Sequence, residues 1–259
     1  MAGMAVTSSE YLSPRFIPFA HRGGSFLPAN LGIENTIRAF HNAASLGYRY
    51  METDVHTTAD GHLVAFHDDH LARVTDFQGK PGDLTLKELK QLRVGDREEI
   101  PTLDEVLDEF PQTMFNIDIK HKRATVELSK VITRHNAQAR VCVASFSQAR
   151  LRLFRKLQPT VTTAASPSAV AGLLAGVVRT RGDVYQVPMC TRIGPVERHI
   201  VTPRTIDLVH KAGKKIHVWT IDDDTTMHRL ISWGVDGIMT DRPELLKSVL
   251  RMRGMWSTR

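Results

Sequence analysis

From residue 17 onward, short apolar runs alternate with segments whose apolar residues recur at helical spacing. The runs predict strands at Ile17–His21, Tyr48–Val55, Leu63–Phe66, Met114–Lys120, Arg140–Phe146, Val161–Ala165, Asp183–Met189, Lys215–Ile221 and Asp236–Thr240. Between them, helices are predicted at Asn35–Leu46, Leu103–Phe110, Ala124–His135, Gln148–Leu157, Pro167–Gly176, Pro203–Ala212, Thr225–Trp233 and Pro243–Leu250. Punctuation supports the boundaries. Glu34-Asn35-Thr36 opens the first helix with capping residues, Gly47, Gly213 and Gly234 close helices, and Pro243 suits a first turn. Asp60-Gly61 reverses the chain before Leu63.

Only Asp69–Ile100 breaks the rhythm, with Gly79-Lys80-Pro81-Gly82 and a short helical pattern at Leu86–Leu92. It is predicted to be a small insertion (about 69–100), a lobe after the second strand region, within one domain spanning residues 1–259. Residues 1–18 form a lead-in, expected to be mobile at its start. Repeated strand–helix units with short apolar strands predict a (β/α)8 TIM barrel. An open doubly wound sheet is the runner-up, and no glycine-rich nucleotide fingerprint supports it.

Polar residues collect where the predicted strands end: His21 at the first, Glu52 and Asp54 at the second, Asp118 and Lys120 at the third. Ser145, Trp219 and Asp241 close three later ones, and His67 and Asp68 follow the run after the Asp60-Gly61 turn. In a barrel this is the reactive end. Glu52 and Asp54 are two apart on a strand and so share a face, as do Asp118 and Lys120. Paired acids in a cleft repel unless a cation neutralises them, and oxygen ligands suit Mg2+ or Ca2+. Solvated acids past a strand end are the plain alternative. Arg22 and Lys120 suit a phosphodiester's oxygens, and two imidazoles suit paired proton transfers.

Composition adds little to this picture. The chain has 259 residues, and its hydrophobic (42%) and charged (24%) contents are those of an ordinary globule. A net charge of +6 allows anionic partners. The interleaving of basic and aromatic residues expected of a nucleic-acid platform is missing, so no nucleic acid is expected. The two cysteines, Cys142 and Cys190, make neither a disulfide framework nor a zinc spacing. No apolar run approaches the roughly 20 residues that span a bilayer. A cytoplasmic enzyme without stable membrane insertion is expected, and its oligomeric state is not legible.

Taken together, HRG, ENT, the Glu-x-Asp pair and the downstream HD resemble the glycerophosphodiester phosphodiesterase family. The similarity continues through HDDHLARVT, LTLKELKQL, IPTLDEVLDEF, FNIDIK, VWTIDD and WGVDGIMTDRP, and so covers Phe19 to Pro243. The resemblance implies His21 and His67 as catalytic histidines, Glu52, Asp54 and Asp118 as metal ligands, and Arg22 and Lys120 as phosphate contacts. It also implies a small-molecule phosphodiester substrate and attack by the substrate's own glycerol 2-hydroxyl. One departure stands out: the third carboxylate is often Glu in this family, and here the shorter Asp118 replaces it in NIDIK.

Other residues carry two readings. Trp219 packs against substrate or is plain core, and Asn35 orients the acids or caps a helix. His56, His62 and His70 are read as bystanders, Asp222–Asp224 as a helix N-terminal acid cluster, and Arg150, Arg152, Arg155 and Lys156 as a solvated basic face. The expected reaction releases glycerol 3-phosphate and an alcohol. A lysophospholipase D-like activity on lysophospholipids and a non-catalytic phosphodiester-binding barrel are the alternatives.

Overall fold

The computed structural model describes residues 10–256. The chain runs β1 (Ile17–Ala20), α1 (Ile37–Ser45), β2 (Tyr50–Thr57), β3 (Leu63–Ala65), α2 (Leu86–Leu89), α3 (Leu103–Glu109) and β4 (Met114–Ile119). It continues through α4 (Ala124–Arg134), β5 (Val141–Ala144), α5 (Gln148–Leu157), β6 (Thr162–Thr163), α6 (Pro167–Leu174) and β7 (Val184–Pro188). Last come β8 (Cys190–Ile193), β9 (Val196–His199), α7 (Pro203–Lys211), β10 (Lys215–Trp219), α8 (Asp224–Trp233), β11 (Gly237–Thr240) and α9 (Pro243–Met252).

The strands pair in the order β6-β5-β4-β2-β1-β11-β10-β7, and a parallel bridge from Ala164 to Val184 joins the two ends. This is the (β/α)8 barrel. The open-sheet alternative fails because that bridge closes the ring, within which the first and last strands are neighbours, with Ile17 opposite Gly237 and Ala20 opposite Thr240. All eight residues of β2 are buried, as expected of a parallel strand covered on both faces. The apolar run at Leu63 is not a barrel strand: β3 returns antiparallel along the end of β2.

Helix starts follow local chemistry. Thr36 caps α1 by accepting from the Ala39 N–H, and α1 lays Ala39, Phe40 and Ala43 on the barrel. Thr102 and Glu105 form a reciprocal capping box at α3. Among the described residues, no helix is long and apolar enough to cross a membrane.

Several boundaries differ from expectation. The run Val161–Ala165 yields only the two-residue β6, and α2 stops at Leu89. Residues 69–100 gather a small core of their own, with Leu71, Leu89, Val94 and Ile100 packed on Val64 and Phe66. The α5 basic face is only partly solvated: Arg150 donates to the Ile119 carbonyl (2.9 Å), and Arg155 to Thr163 Oγ1 (2.8 Å) and the Ala164 carbonyl (2.6 Å). The hairpin β8–β9 was not legible, since its residues are mostly polar and β9 is exposed throughout.

Inside the barrel, Phe19, Tyr50, Cys142, Val184 and Met239 pack together with Ile17 and Tyr11. Tyr11 belongs to the predicted lead-in, whose first nine residues lie outside the described ones. It is buried, stacks edge-on with Tyr50 at 5.3 Å, and accepts the Tyr50 hydroxyl at its carbonyl (2.8 Å).

His217 on β10 also faces inward, 5.0 Å from the Phe19 ring, with neither ring nitrogen hydrogen-bonded. Burial pushes its pKa down to about 3. Below the unfolded value of ~6.5, the unfolded chain takes up a proton that the folded chain refuses, so this residue's effect is a loss of stability as pH falls from there towards 3. From pH 7.5 to 5 the loss is about 2 kcal/mol. His217→Met is therefore expected to flatten that part of the stability–pH profile in urea titrations. Parallel profiles for the two proteins would show that His217 is not the group responsible.

Candidate active site

At the carboxyl ends of the barrel strands lies a cavity of about 340 Å³. His21, Arg22, Glu52, Asp54, His67, Asp118, Lys120 and Trp219 all line it. These are the eight residues given catalytic, phosphate-binding, substrate or metal roles from the sequence.

The chain turns sharply after β1 to present the first two. Arg22, Gly23 and Gly24 all have positive φ (51°, 83° and 85°). A Cβ on Gly23 would come to 3.0 Å of Ala39, and one on Gly24 to 2.5 Å of the Pro243 ring, so the HRGG turn needs its glycines. The turn directs the Arg22 N–H to Glu52 Oε2 (3.2 Å) and its Nη1 to Glu34 (2.9 Å).

Each histidine is held through Nδ1 by a carboxylate. His21 Nδ1 lies 2.7 Å from Asp241 Oδ1, which also accepts the Ser25 hydroxyl (2.6 Å). His21 Nε2 is 3.6 Å from Glu52. His67 Nδ1 lies 2.5 Å from Asp68 Oδ1. Asp68 is in turn paired with Arg73, Arg73 with Glu34 and Glu34 with Arg22, so one chain of alternating charges links the two sides of the site. Burial works against charge on His21, yet Glu52 and Asp241 outweigh it and its pKa is raised. Asp241 is lowered despite burial, by its hydrogen bond to His21 and the charge beside it.

The three acids divide unequally. Burial, reinforced by Asp54, pushes Glu52 up to about 8. Asp54 is lowered against its own burial by Lys120, His67 and Arg22. Lys120 Nζ sits between Asp54 Oδ1 (2.9 Å) and Asp118 Oδ2 (2.7 Å). Asp118 Oδ1 is buried without a hydrogen-bond partner, and burial raises this carboxyl.

These are hard oxygen donors with an unbalanced charge and one unpaired oxygen, which fits a divalent cation. They are not drawn together as one ligand set. Among the described residues, only Cys190, Glu197 and His199 bring three metal-ligating atoms from Cys, His, Asp or Glu side chains within 4.8 Å of one another. The Lys120 ammonium instead lies between Asp54 and Asp118.

Asn35 does not cap α1, since Thr36 does. Its amide donates to Asp54 Oδ2 (3.2 Å) and its oxygen accepts from Thr53 (2.8 Å), so it orients the acid. His56, read as a bystander, meets the His67 carbonyl with its Nε2 at 3.2 Å, and burial keeps its pKa low. In the expected acid cluster, Asp223 caps α8, while Asp222 accepts from Thr240 (3.0 Å) and the Asp241 N–H (2.8 Å) at the end of β11. Trp219 is half-buried and meets Phe146 edge-on at 5.8 Å.

The roles of Asp241, Glu34 and Arg73 were missed. Asp241 was visible only as a polar strand end 220 residues from His21, with nothing in the chain to couple them. Asn116 and Gln186, joined at 2.7 Å in the cavity wall, had no sequence signal.

A model of the Glycerophosphoryl diester phosphodiesterase family matches residues 21–245. A Mycobacterium tuberculosis protein named probable glycerophosphodiester phosphodiesterase 2 is 38% identical over 93% of this chain and 92% of its own. A glycerophosphodiester phosphodiesterase of Caldanaerobacter subterraneus is 35% identical over 91% of this chain and 98% of its own. Among solved structures, an Oleispira antarctica phosphodiesterase in complex with the product sn-glycerol-3-phosphate superposes with a TM-score of 0.77. It is 26% identical and covers 91% of this chain and 96% of its own.

Proposed function

This chain belongs to the glycerophosphoryl diester phosphodiesterase family, and we propose that it hydrolyses glycerophosphodiesters to glycerol 3-phosphate and an alcohol. The observation that carries this reading is a pair of imidazoles, each anchored through Nδ1 by a carboxylate, lining one cavity with Arg22 and Lys120. Fixing Nδ1 as a donor leaves each Nε2 free to accept or give a proton. A pure binding barrel needs phosphate contacts but not two oriented proton carriers. Incubation with glycerophosphocholine, coupled to glycerol 3-phosphate dehydrogenase, is expected to release glycerol 3-phosphate. No release would favour the binding barrel.

In the reaction, Arg22 and Lys120 hold the phosphodiester's oxygens, the guanidinium by its fork and the ammonium as a point charge. Glu52, Asp54 and Asp118 are the residues that would hold a divalent cation, Mg2+ or Ca2+. When bound, such an ion supplies positive charge that stabilises the phosphate oxygens in the transition state. One histidine takes the proton of the nucleophile while the other gives one to the leaving alkoxide.

The nucleophile is the substrate's own 2-hydroxyl. Its tether to phosphorus gives it the advantage of an intramolecular reaction, and no Ser or Cys here falls in a recognisable nucleophile motif. Attack forms a cyclic phosphate, which water opens. A substrate lacking the 2-hydroxyl is expected to bind yet turn over far more slowly, and phosphorus NMR at high enzyme concentration is expected to reveal the cyclic species. Normal turnover of the deoxy substrate without that species would assign the attack to water.

One observation favours a lipid-bearing substrate as a second reading. Pro167, Val170, Ile200 and Trp219 give the cavity an apolar wall, and Phe146 stands 70% exposed beside it. Faster release from a lysophospholipid than from glycerophosphocholine in the same assay would favour it.

A further inference from the structure

The hairpin β8–β9 leaves the barrel just beyond Pro188, the end of β7, and folds back before α7. Its two-residue turn is Gly194-Pro195, with Gly194 at a positive φ of 61°. Cross-strand partners share a face and neighbours along a strand alternate. Cys190 pairs with His199 and Arg192 with Glu197, which places Cys190, Glu197 and His199 on one face. Thr191 points the other way and lines the cavity.

The donor atoms of Cys190, Glu197 and His199 all lie within 4.8 Å of one another, and Cys190 Sγ is 3.1 Å from His199 Nδ1. A tetrahedral zinc ion, with Zn–S of ~2.3 Å and Zn–N of ~2.0 Å, holds neighbouring sulfur and nitrogen roughly 3.5 Å apart. The hairpin is therefore near the spacing a metal needs, without folding anew. Glu197 and His199 are exposed and Cys190 partly so, which leaves the face open to ions in solution.

We propose that Cys190, Glu197 and His199 form a binding site for a thiophilic divalent cation, zinc foremost, separate from the carboxylates of the catalytic cavity. Donor softness keeps the two apart. A thiolate with an imidazole selects zinc, cobalt or cadmium, whereas Glu52, Asp54 and Asp118 offer only hard oxygens suited to magnesium or calcium. On binding, the metal–sulfur bond forms, the thiol proton passes to solvent, and no redox change occurs. Water completes the coordination. Because the ligands come from both strands, the ion clasps the hairpin whose opposite face carries Thr191 into the cavity.

Cobalt(II) titration in excess Mg2+ tests this, since a thiolate ligand gives cobalt an intense near-ultraviolet charge-transfer band. Cys142 is fully buried, so such a band in the folded protein reports Cys190. The expected result is a saturable band equivalent to one cobalt per chain, bleached by zinc. It should vanish in Cys190→Ser, shift to higher cobalt concentration in His199→Ala, and persist in Asp118→Asn. Circular dichroism identifies any variant that fails to fold. A wild-type protein with no thiolate band, or a band retained in folded Cys190→Ser, would overturn the site. Neither outcome bears on glycerophosphodiester hydrolysis, which is measured separately by glycerol 3-phosphate release.

Discussion

His21→Ala and His67→Ala are each expected to lower kcat on glycerophosphocholine by roughly 10²–10⁴-fold, the usual worth of a positioned general acid or base. The expectation follows from the proposed mechanism, in which the two Nδ1–carboxylate contacts, His21 to Asp241 at 2.7 Å and His67 to Asp68 at 2.5 Å, set both rings for proton transfer through Nε2. Leaving-group chemistry separates their roles. Choline departs as an alkoxide that needs a proton, whereas p-nitrophenolate departs without one. The histidine acting as acid is thus required for the choline ester and far less so for the p-nitrophenyl ester, while the histidine acting as base is required for both. One variant should recover most of its activity on the activated substrate. Equal inactivity of both on both substrates would dismiss this division of labour. Asp241→Asn should follow His21→Ala in direction with a smaller effect, because it leaves the ring in place but weakens its tether.

Removal of the divalent cation is expected to have a comparable or larger effect. Glu52 and Asp54 share a face of β2, both are buried, and Glu52 is pushed up to about 8. A pair in that state holds one proton at neutral pH unless a cation takes its place. Exhaustive chelation should abolish glycerol 3-phosphate release, and Mg2+ or Ca2+ should restore it. Glu52→Gln should lose bound metal, read by atomic emission, together with at least roughly 10²-fold of turnover, the scale of a lost electrostatic contact to the transition state. The competing possibility is that Lys120, lodged between Asp54 and Asp118, is sufficient positive charge by itself. Full turnover by a protein verified free of metal would establish that alternative.

Much of this architecture was legible along the chain because it depends on short-range rules. A parallel strand covered on both faces tends towards a short run rich in apolar residues, and a helix packed on one side repeats its apolar residues at helical spacing. The alternation of strand and helix that makes the barrel and most helix limits follow from those two periods, with Gln148–Leu157 predicted to the residue. The pairing of Glu52 with Asp54 on one face likewise follows from the period of two along β2. Where the rules lose hold, so did the reading: β6 is too short to repeat, and β8–β9 turns polar residues outward with no core to impose a pattern.

The site's electrostatics belong to tertiary structure. The sequence determined which titratable groups stand at the strand ends, because each strand and the turn after it are local. Which group meets which was decided only when the barrel closed and set β11 beside β1, bringing Asp241 to His21 across 220 residues. The same holds for Arg73 reaching Glu34, and for Gln186 donating to Asn116. Asp118 shows the division within one residue. Its place on β4 beside Lys120 is local, but the burial that raises its carboxyl against the pull of Lys120, and the nearness of Asp54 that adds to it, exist only in the folded barrel. The physical reason is range: backbone periodicity acts over a few residues, whereas Coulomb interactions and desolvation depend on distance in space, whatever the separation along the chain.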